Sequence, residues 1–189
     1  MAFTPVKARF IKFYAAGGDN SYCLSELQVF GESSTPDPVS KGIEAYKKGD
    51  YKTAYKTLLP LAKKGNPVAQ RYIGAMYRRG RGLQKDYSEA AKWYRKAADQ
   101  GHVGAQNDLA FMYMRGRGVP KDLKEAMRWY RKAAEQGHAK AQTNLAIAYL
   151  RGQGVPKNYS EGLKWCRTAA VQGFASAQNT LGVIYAKGL

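Results

Sequence analysis

The chain is short of the residues on which cofactors, metals and membranes usually depend. It has 189 residues with two histidines and two cysteines, Cys23 and Cys166, which lie far apart. Two distant cysteines give no sign of a disulfide framework or a zinc site. No apolar run approaches the ~18 residues of a membrane helix, and the opening MAFTPVKARF has no signal-peptide core. We therefore expect no transmembrane segment and, by default, a cytoplasmic location; a periplasmic or secreted one stays open if a leader was removed.

Acidic residues are also scarce, and their scarcity is confined to one part of the chain. The sequence has 31 Lys and Arg against 14 Asp and Glu, a formal net charge of +17. The first 35 residues hold three of each sign, so the whole excess belongs to residues 36–189. A surplus of this size favours anionic partners, which include nucleic acid, acidic proteins, anionic glycans and membrane surfaces. The hydrophobic share of 44% indicates a globular protein.

What the chain does have is an internal repeat. Four glycines recur 36 residues apart, and the segments after them align without a gap: Gly65, Gly101, Gly137 and Gly173. Repeats of this length indicate stacked supersecondary units that share one core. We place the array at residues 36–189, with units at about 38–64, 65–100, 101–136, 137–172 and 173–189. Residues 1–35 are then a separate segment.

Each unit reads as two helices. The apolar residues Ala105, Leu109, Ala110 and Tyr113 fall on one helical face. Gly116 should end this first helix, since a left-handed cap suits glycine. A second helix follows over Leu123 to Gln136, and tryptophans recur in it as core residues: Trp93, Trp129 and Trp165. The predicted fold is mainly α, an α-solenoid of antiparallel helix pairs with a 36-residue period.

One stretch resembles a phosphate-binding loop until the repeat is taken into account. YRRGRGLQKD, starting at Tyr77, sets arginines between glycines. It recurs as YMRGRGVPKD and YLRGQGVPKN, so its glycines are predicted to be the helix stop and turn of each unit. Arg81 becomes Gln153 two units later, whereas the residue before the first glycine stays basic.

Comparison of equivalent positions in the repeat units also leaves no catalytic motif. His102 and His138 share one repeat position, where Asn66 and Phe174 stand in other units. Because phenylalanine cannot bind a metal, we interpret these histidines as helix-start residues. Cys166 takes the place of a core tyrosine and is expected to be a packed thiol. The sequence contains no nucleophile elbow, phosphate loop or HExxH motif. We predict a protein that is not an enzyme and needs no cofactor or metal.

The recurring elements A-Q-x-x-L-A/G-x-x-Y, G-x-G-V-P-K-D and A-x-x-W-Y-R-K-A-A-E-Q-G resemble those of the Sel-one-like repeat family, a relative of the tetratricopeptide repeats. The resemblance covers residues 41–189. It implies an α-solenoid that acts as a non-catalytic scaffold or adaptor in protein complexes. The first unit departs from the pattern, since it lacks the G-x-G turn and the tryptophan, and the last stops after one helix.

The N-terminal segment has a different residue composition from the repeats. FIKFYA and CLSELQVFGE are rich in strand formers and are separated by the turn signal AGGDNS. A β-hairpin is the direct prediction. The residues are similar to the closing strands of a discoidin, or coagulation-factor type C, domain, but cover too little of one to carry over any binding residue.

The resemblance also implies where a partner would bind. In superhelical arrays of helix pairs the first helices line the concave face. By analogy with tetratricopeptide arrays, the candidate partner-binding residues are Arg71, Arg78, Arg79, Asn107, Phe111, Met114, Arg115, Lys140, Thr143, Ile147, Leu150 and Arg151. They combine a basic ladder (Arg79, Arg115 and Arg151, continued by Lys187) with an apolar strip (Phe111, Met114, Ile147 and Leu150).

Two functions remain open at this point. Cations beside apolar anchors suit an acidic protein segment with hydrophobic side chains, or a subunit of a larger assembly. The alternative is a binder of nucleic acid or an anionic glycan, favoured by the net charge. The ladder also has a purely structural interpretation, because cations near helix C-termini interact favourably with the helix dipole.

Overall fold

The computed structural model describes residues 37–186 of the chain. The chain divides into two units, Met1–Asp37 and Pro38–Leu189. The β-hairpin predicted for the first 35 residues and the ladder residue Lys187 both lie outside the described residues.

The second unit is an array of helix pairs, as the repeat predicts. Residues 37–186 form α-helices joined by short turns, with no strand among them. The helices are α1 (Pro38–Lys48), α2 (Tyr51–Lys63), α3 (Pro67–Arg79), α4 (Tyr87–Asp99), α5 (Val103–Arg115), α6 (Leu123–Glu135), α7 (Ala139–Arg151), α8 (Tyr159–Val171) and α9 (Ala175–Ala186). Each helix packs against the next along the chain. The predicted second helix of residues 123–136 is one residue shorter, ending at Glu135.

The turn glycines act as predicted. Gly80, Gly116 and Gly152 close the first helices in the left-handed conformation, with φ of 65°, 62° and 68°. The backbone N–H of Gly116 donates to the carbonyl of Tyr113 at the end of α5. The arginine–glycine turns of the described residues are therefore helix stops.

Helices α2 to α8 are each capped at the start by a polar side chain of the preceding residue. The second helices begin after Asp50, Asp86, Asp122 and Asn158, whose side chains each accept a backbone N–H three residues on. The first helices use another set, in which Nδ1 of His102 accepts from the Ala105 N–H and Nδ1 of His138 from the Ala141 N–H, both at 3.2 Å. The interpretation of these histidines as helix-start residues is confirmed.

The core runs through the array without a break between units. Small residues such as Ala105 and Ala141 are fully buried and let adjacent helices approach, while Trp129 is 1% exposed and fills the space between them. Three groups of buried side chains follow one another along the chain, and Tyr77 and Trp165 bridge them. This is the continuous core that stacked repeats require. Trp93 and Trp165 pack against it but are half-buried.

Candidate functional site

We use the name first-helix face for the predicted partner-binding positions on α3, α5 and α7 together with the same positions on α9. Arg79, Arg115 and Arg151 are the last residues of their helices, and all three are exposed. They stand directly before the glycine caps, where the helix C-terminus favours a cation. The described part of the predicted ladder is thus accessible to a partner. Lys140, in the first turn of α7, is exposed as well.

The apolar strip lies between these cations and is half-buried. Phe111, Met114, Ile147 and Leu150 each keep part of their surface open, unlike the core residues beneath them. The Arg115 guanidinium lies 5.7 Å from the centre of the Phe111 ring, a cation–π contact. Apolar and basic positions therefore adjoin one another on α5.

An open cavity of about 630 Å³ occupies the end of this face, between α7 and α9. Ile147, Leu150 and Arg151 line one side of it. The other side is formed by α9 with the ring of Tyr159 from the start of α8, the further lining residues being Ser176, Asn179, Thr180, Val183 and Ile184. A cavity lined by both apolar and polar side chains, with a guanidinium at its edge, can take an apolar side chain next to a carboxylate.

The sequence-based prediction missed the α9 half of this cavity, although the repeat register could have found it. Asn179 and Val183 stand 36 residues after Thr143 and Ile147 and are the same repeat positions. Tyr159 had no such signal, because its equivalents in earlier units are turn-adjacent residues with no predicted role.

The two remaining arginines of α3 are already engaged within the chain. Arg71 Nε donates to Asp108 Oδ2 on α5 at 2.9 Å. Arg78 Nε donates to the Tyr94 hydroxyl at 3.0 Å, and both Arg71 and Arg78 are half-buried. They link neighbouring helices, so they are less free to meet a partner than the ladder arginines. Asp108, an acidic residue on this basic face, was not predicted.

The expectation that Asn107 and Thr143 point out of the array is wrong. Their exposed fractions are 4% and 2%. Arg71 and Asn179 occupy the same repeat position and are half-buried and exposed, respectively, so burial at this position depends on the neighbouring helices and not on the position itself. Thr143 Oγ1 donates to the carbonyl of Ala139 in its own helix at 2.9 Å.

The capping histidines lie near the charged pair on this face. Burial lowers the pKa of His102, and the nearby Arg71 cation lowers it further. Burial is also the main cause of the lowered pKa of His138. A neutral ring suits their role, because a cap accepts a backbone N–H at Nδ1 and a protonated imidazole has no acceptor.

Stability should therefore fall in mild acid because of these caps. A group with a folded pKa below its ordinary 6.5 supports the fold fully above that value, and the support is lost as pH falls through the folded pKa. We expect less than about 1 kcal/mol per histidine, since a cap is worth about that much and half-buried rings are partly screened.

The matched variant is His102→Asn with His138→Asn, because Asn66 caps α3 in the same way, its side chain accepting from the Ala69 N–H at 2.9 Å. Melting temperatures at about pH 7.5 and about pH 5.5 should differ more for the native chain than for the variant. Equal acid shifts in the two proteins would show that the caps are not titrating.

The thiol of Cys166 is packed in the core, as its repeat position predicts. Sγ of Cys166 donates to the Ala177 carbonyl at 3.3 Å, and burial raises the pKa of this thiol, so it stays protonated. Within residues 37–186, no three His, Cys, Asp or Glu side chains gather in a way that could hold a metal ion. Over the same range no helix has the length and apolarity to cross a bilayer.

Comparison with known proteins gives a family for the array. The Sel1 repeat model matches three times in succession, at residues 67–102, 103–138 and 139–174. The divergent first unit is outside the match, in keeping with its missing turn and tryptophan. No comparison supports the discoidin-type resemblance of the N-terminal segment. No curated protein is similar enough to be matched.

Solved structures carry the same architecture. A Sel1 repeat protein from Oxalobacter formigenes is 42% identical over 79% of this chain, with a TM-score of 0.74. The protective antigen c5321 of uropathogenic Escherichia coli, which displays an SLR fold, is 36% identical over 80% of this chain, with a TM-score of 0.75. This chain spans 62% of the first protein and 33% of the second.

A third structure shares the fold at lower identity. Helicobacter pylori cysteine rich protein B is 22% identical over 69% of this chain and 97% of its own, with a TM-score of 0.57. The helix pairs, their period and the three matched repeats, which cover more than half of the sequence, lead to one conclusion. The chain belongs to the Sel1 repeat family, whose members are generally protein-interaction scaffolds.

Proposed function

We propose that this chain is a non-catalytic scaffold whose first-helix face captures a protein segment bearing carboxylates and apolar side chains. The observation that carries the proposal is the cavity between α7 and α9, where Ile147 and Leu150 provide an apolar wall and Arg151 a cation. Phe111 and Arg115 repeat the same pairing one unit earlier. We assign the chain no reaction and no cofactor.

Charge supports the choice of an acidic segment. The exposed ladder residues Arg115 and Arg151 do not pair with a carboxylate in any of the ion pairs found within the described residues. A partner carboxylate would meet these cations beside apolar surface, where a charge contact is less screened than in open water. Apolar side chains between the carboxylates would supply the buried anchors that carry most binding energy.

The test is charge reversal on the face, with a matched reversal elsewhere. Short peptides are selected by display against the intact chain, and we expect enrichment in Asp, Glu and apolar residues. Arg115→Glu with Arg151→Glu should weaken the selected peptides by about tenfold or more, since each exposed charge contact is worth up to about 1 kcal/mol and is replaced by repulsion. Helicity by circular dichroism should not change.

The control carries the same change in net charge on α2. Lys52→Glu with Lys56→Glu alters two exposed lysines outside the first-helix face. Peptide affinity should stay within about twofold of the native chain if the contacts are local, because surface charges beyond a Debye length of about 8 Å are largely screened. Equal losses from both double variants would show that capture follows net charge and would contradict the proposed face.

Nucleic acid or an anionic glycan is the second candidate, favoured by the +17 net charge. Such binding is sequence-independent and falls steeply as salt rises. It would appear as strong retention of duplex DNA or heparin at low salt, weakened alike by both double variants. Capture that depends on Arg115 and Arg151 and persists at moderate salt favours the protein segment.

A further inference from the structure

Two buried side-chain oxygens in the described part of the chain have no hydrogen-bond partner, Asn107 Oδ1 and Tyr130 Oη. Both belong to one repeat unit, since Asn107 is on α5 and Tyr130 on α6. A buried polar group without a partner costs folding free energy, so native proteins rarely keep one without a reason. Two in one unit call for a common explanation.

Neighbouring units satisfy the same positions internally. The Tyr94 hydroxyl, equivalent to that of Tyr130, accepts from Arg78 Nε at 3.0 Å. Met114 stands at the Arg78 position in the next unit and offers Tyr130 no donor. Unsatisfied groups in the middle unit therefore follow from its own residues and are not a property of the repeat.

The Asn107 position shows the same contrast. Arg71, one unit earlier, pairs with Asp108, and Thr143, one unit later, donates to the carbonyl of Ala139. The Oδ1 of Asn107 has no such partner, and the residue is 4% exposed.

Asn107 is one position of the first-helix face, and Tyr130 lies on α6, the helix that packs against α5. Burial is the main cause of the raised pKa of the Tyr130 hydroxyl, and the charges of Asp108 and Arg115 also act on it. Asp108 is the residue next to Asn107 on α5, and Arg115 is a rung of the ladder. The flexible side chain of Met114 packs against the core cluster that contains Tyr130, at the repeat position from which Arg78 reaches the hydroxyl of Tyr94 one unit earlier. A rotamer change of Met114 would open access to the Tyr130 hydroxyl.

The chemistry of the two groups fits a peptide main chain. A carboxamide oxygen accepts one hydrogen bond from an N–H, and a phenolic hydroxyl can donate to a carbonyl oxygen. A peptide group supplies both the N–H donor and the carbonyl acceptor, and it adds no charge beside Asp108. Apolar side chains of the same segment would meet Phe111 and Met114, and a carboxylate would meet Arg115.

We propose that Asn107 and Tyr130 form a subsite that hydrogen-bonds the main chain of an extended, acidic protein segment lying on the first-helix face. This inference rests on the function proposed above and adds how the segment is held: side chains supply selectivity, and the unpartnered oxygens of Asn107 on α5 and Tyr130 on α6 hold the backbone. The free protein then carries two unsatisfied groups that become satisfied when the segment binds.

The first test uses the free protein. Asn107→Leu and Tyr130→Phe should each raise the melting temperature by about 2–4 °C, the shift typical of relieving a modest destabilisation in a chain of this size. Tyr94→Phe, the matched control, should lower it because Arg78 loses its acceptor. Asn179→Leu, at the same repeat position as Asn107 but exposed, should leave it unchanged. Lower melting temperatures for both Asn107→Leu and Tyr130→Phe would overturn the proposal, since these groups would then already be satisfied.

The second test reads the main chain directly. A synthetic peptide selected by display is remade with a single backbone N–H methylated at each position in turn. One methylation should weaken binding to the native chain by about tenfold, the value of a lost buried hydrogen bond. The same methylation should have little effect with Asn107→Leu, which binds the parent peptide more weakly.

The outcomes separate the two proposals. If the parent peptide binds through Arg115 and Arg151 but methylation affects both proteins equally, the main-chain subsite is wrong and the scaffold function stands. If display against the native chain yields no peptide that depends on the ladder, the proposed function fails and the subsite fails with it.

Discussion

Replacing Gly118 with alanine should lower the free energy of unfolding by about 3 kcal/mol or more, combining left-handed strain with a clash against a neighbouring unit. A Cβ at this position would lie 2.0 Å from the carbonyl oxygen of Tyr87 and 2.7 Å from the nitrogen of Ser88. These are backbone atoms at the start of α4, which cannot turn aside as a side chain could. Either the turn must change its path or the two units must separate.

The left-handed conformation is only part of that cost, and the chain offers a control that isolates it. Gly118 has φ of 73°, whereas Gly137 has φ of 85°, and no atom other than those of Gly137 and its two chain neighbours lies within 4 Å of an added Cβ there. Gly137→Ala should therefore cost about 1 kcal/mol, for backbone strain alone. Gly154→Ala repeats the close approach one unit later, where the Cβ would lie 2.4 Å from the carbonyl of Leu123, and should resemble Gly118→Ala.

Denaturant unfolding followed by far-UV circular dichroism measures the three losses. We expect similar losses in the free energy of unfolding for Gly118→Ala and Gly154→Ala, both much larger than the loss for Gly137→Ala. Comparable losses at all three positions would mean that the units do not approach as closely at the turn as the structure has them. The second glycine of G-x-G would then serve the turn alone.

Gly118 has one role that the sequence predicts and another that it does not. The period, the helix pairs and the glycine stop were predictable, because they depend on local conformation and on a core shared by identical units. The second reason for Gly118, its contact with the backbone of the preceding unit, was not predictable. It depends on how far one unit sits from the next, which is a three-dimensional quantity with no local signal.

The candidate site divides in the same way. The exposed rungs Arg115 and Arg151 follow from the register, since the last residue before a helix stop projects from the fold. Partners formed between units do not follow from it. Arg71 finds Asp108 and Arg78 finds Tyr94 because of side-chain length and rotamer, and the burial of Asn107 is set by its neighbours. The repeat position of a residue predicts where its backbone lies. The contacts of the side chain depend on its length and chemistry and on its neighbours.

Gln106→Met should lower the free energy of unfolding by about 2 kcal/mol, because it removes two hydrogen bonds that join successive units without changing the buried volume much. Gln106 is 3% exposed, and its Nε2 donates to the carbonyl of Ala98 at 3.3 Å. Its Oε1 accepts from Gln136 Nε2 at 2.8 Å. One side chain thus ties α5 to the end of α4 and to the end of α6.

The arrangement recurs along the array, which makes it a property of the fold rather than of one site. Gln70 and Gln142 donate to the carbonyls of Ala62 and Ala134, each at 3.0 Å. They accept from Gln100 and Gln172, each at 2.7 Å. The recurring A-Q dipeptide of the sequence is therefore a link between three helices, and its glutamine holds the spacing on which the first-helix face depends.

A control at Gln178 and a double-mutant cycle with Gln136 test whether the buried hydrogen bonds cause the loss. Gln178 occupies the same repeat position in α9, but it is exposed and its bond to the Ala170 carbonyl is 3.5 Å long, so Gln178→Met should change stability by less than about 0.5 kcal/mol. The double variant Gln106→Met with Gln136→Met should cost less than the sum of the single changes, because the second substitution removes a partner already lost. Additive losses in this cycle would contradict a direct bond between the two amides, and a loss at Gln178 equal to that at Gln106 would show that burial of the link contributes nothing.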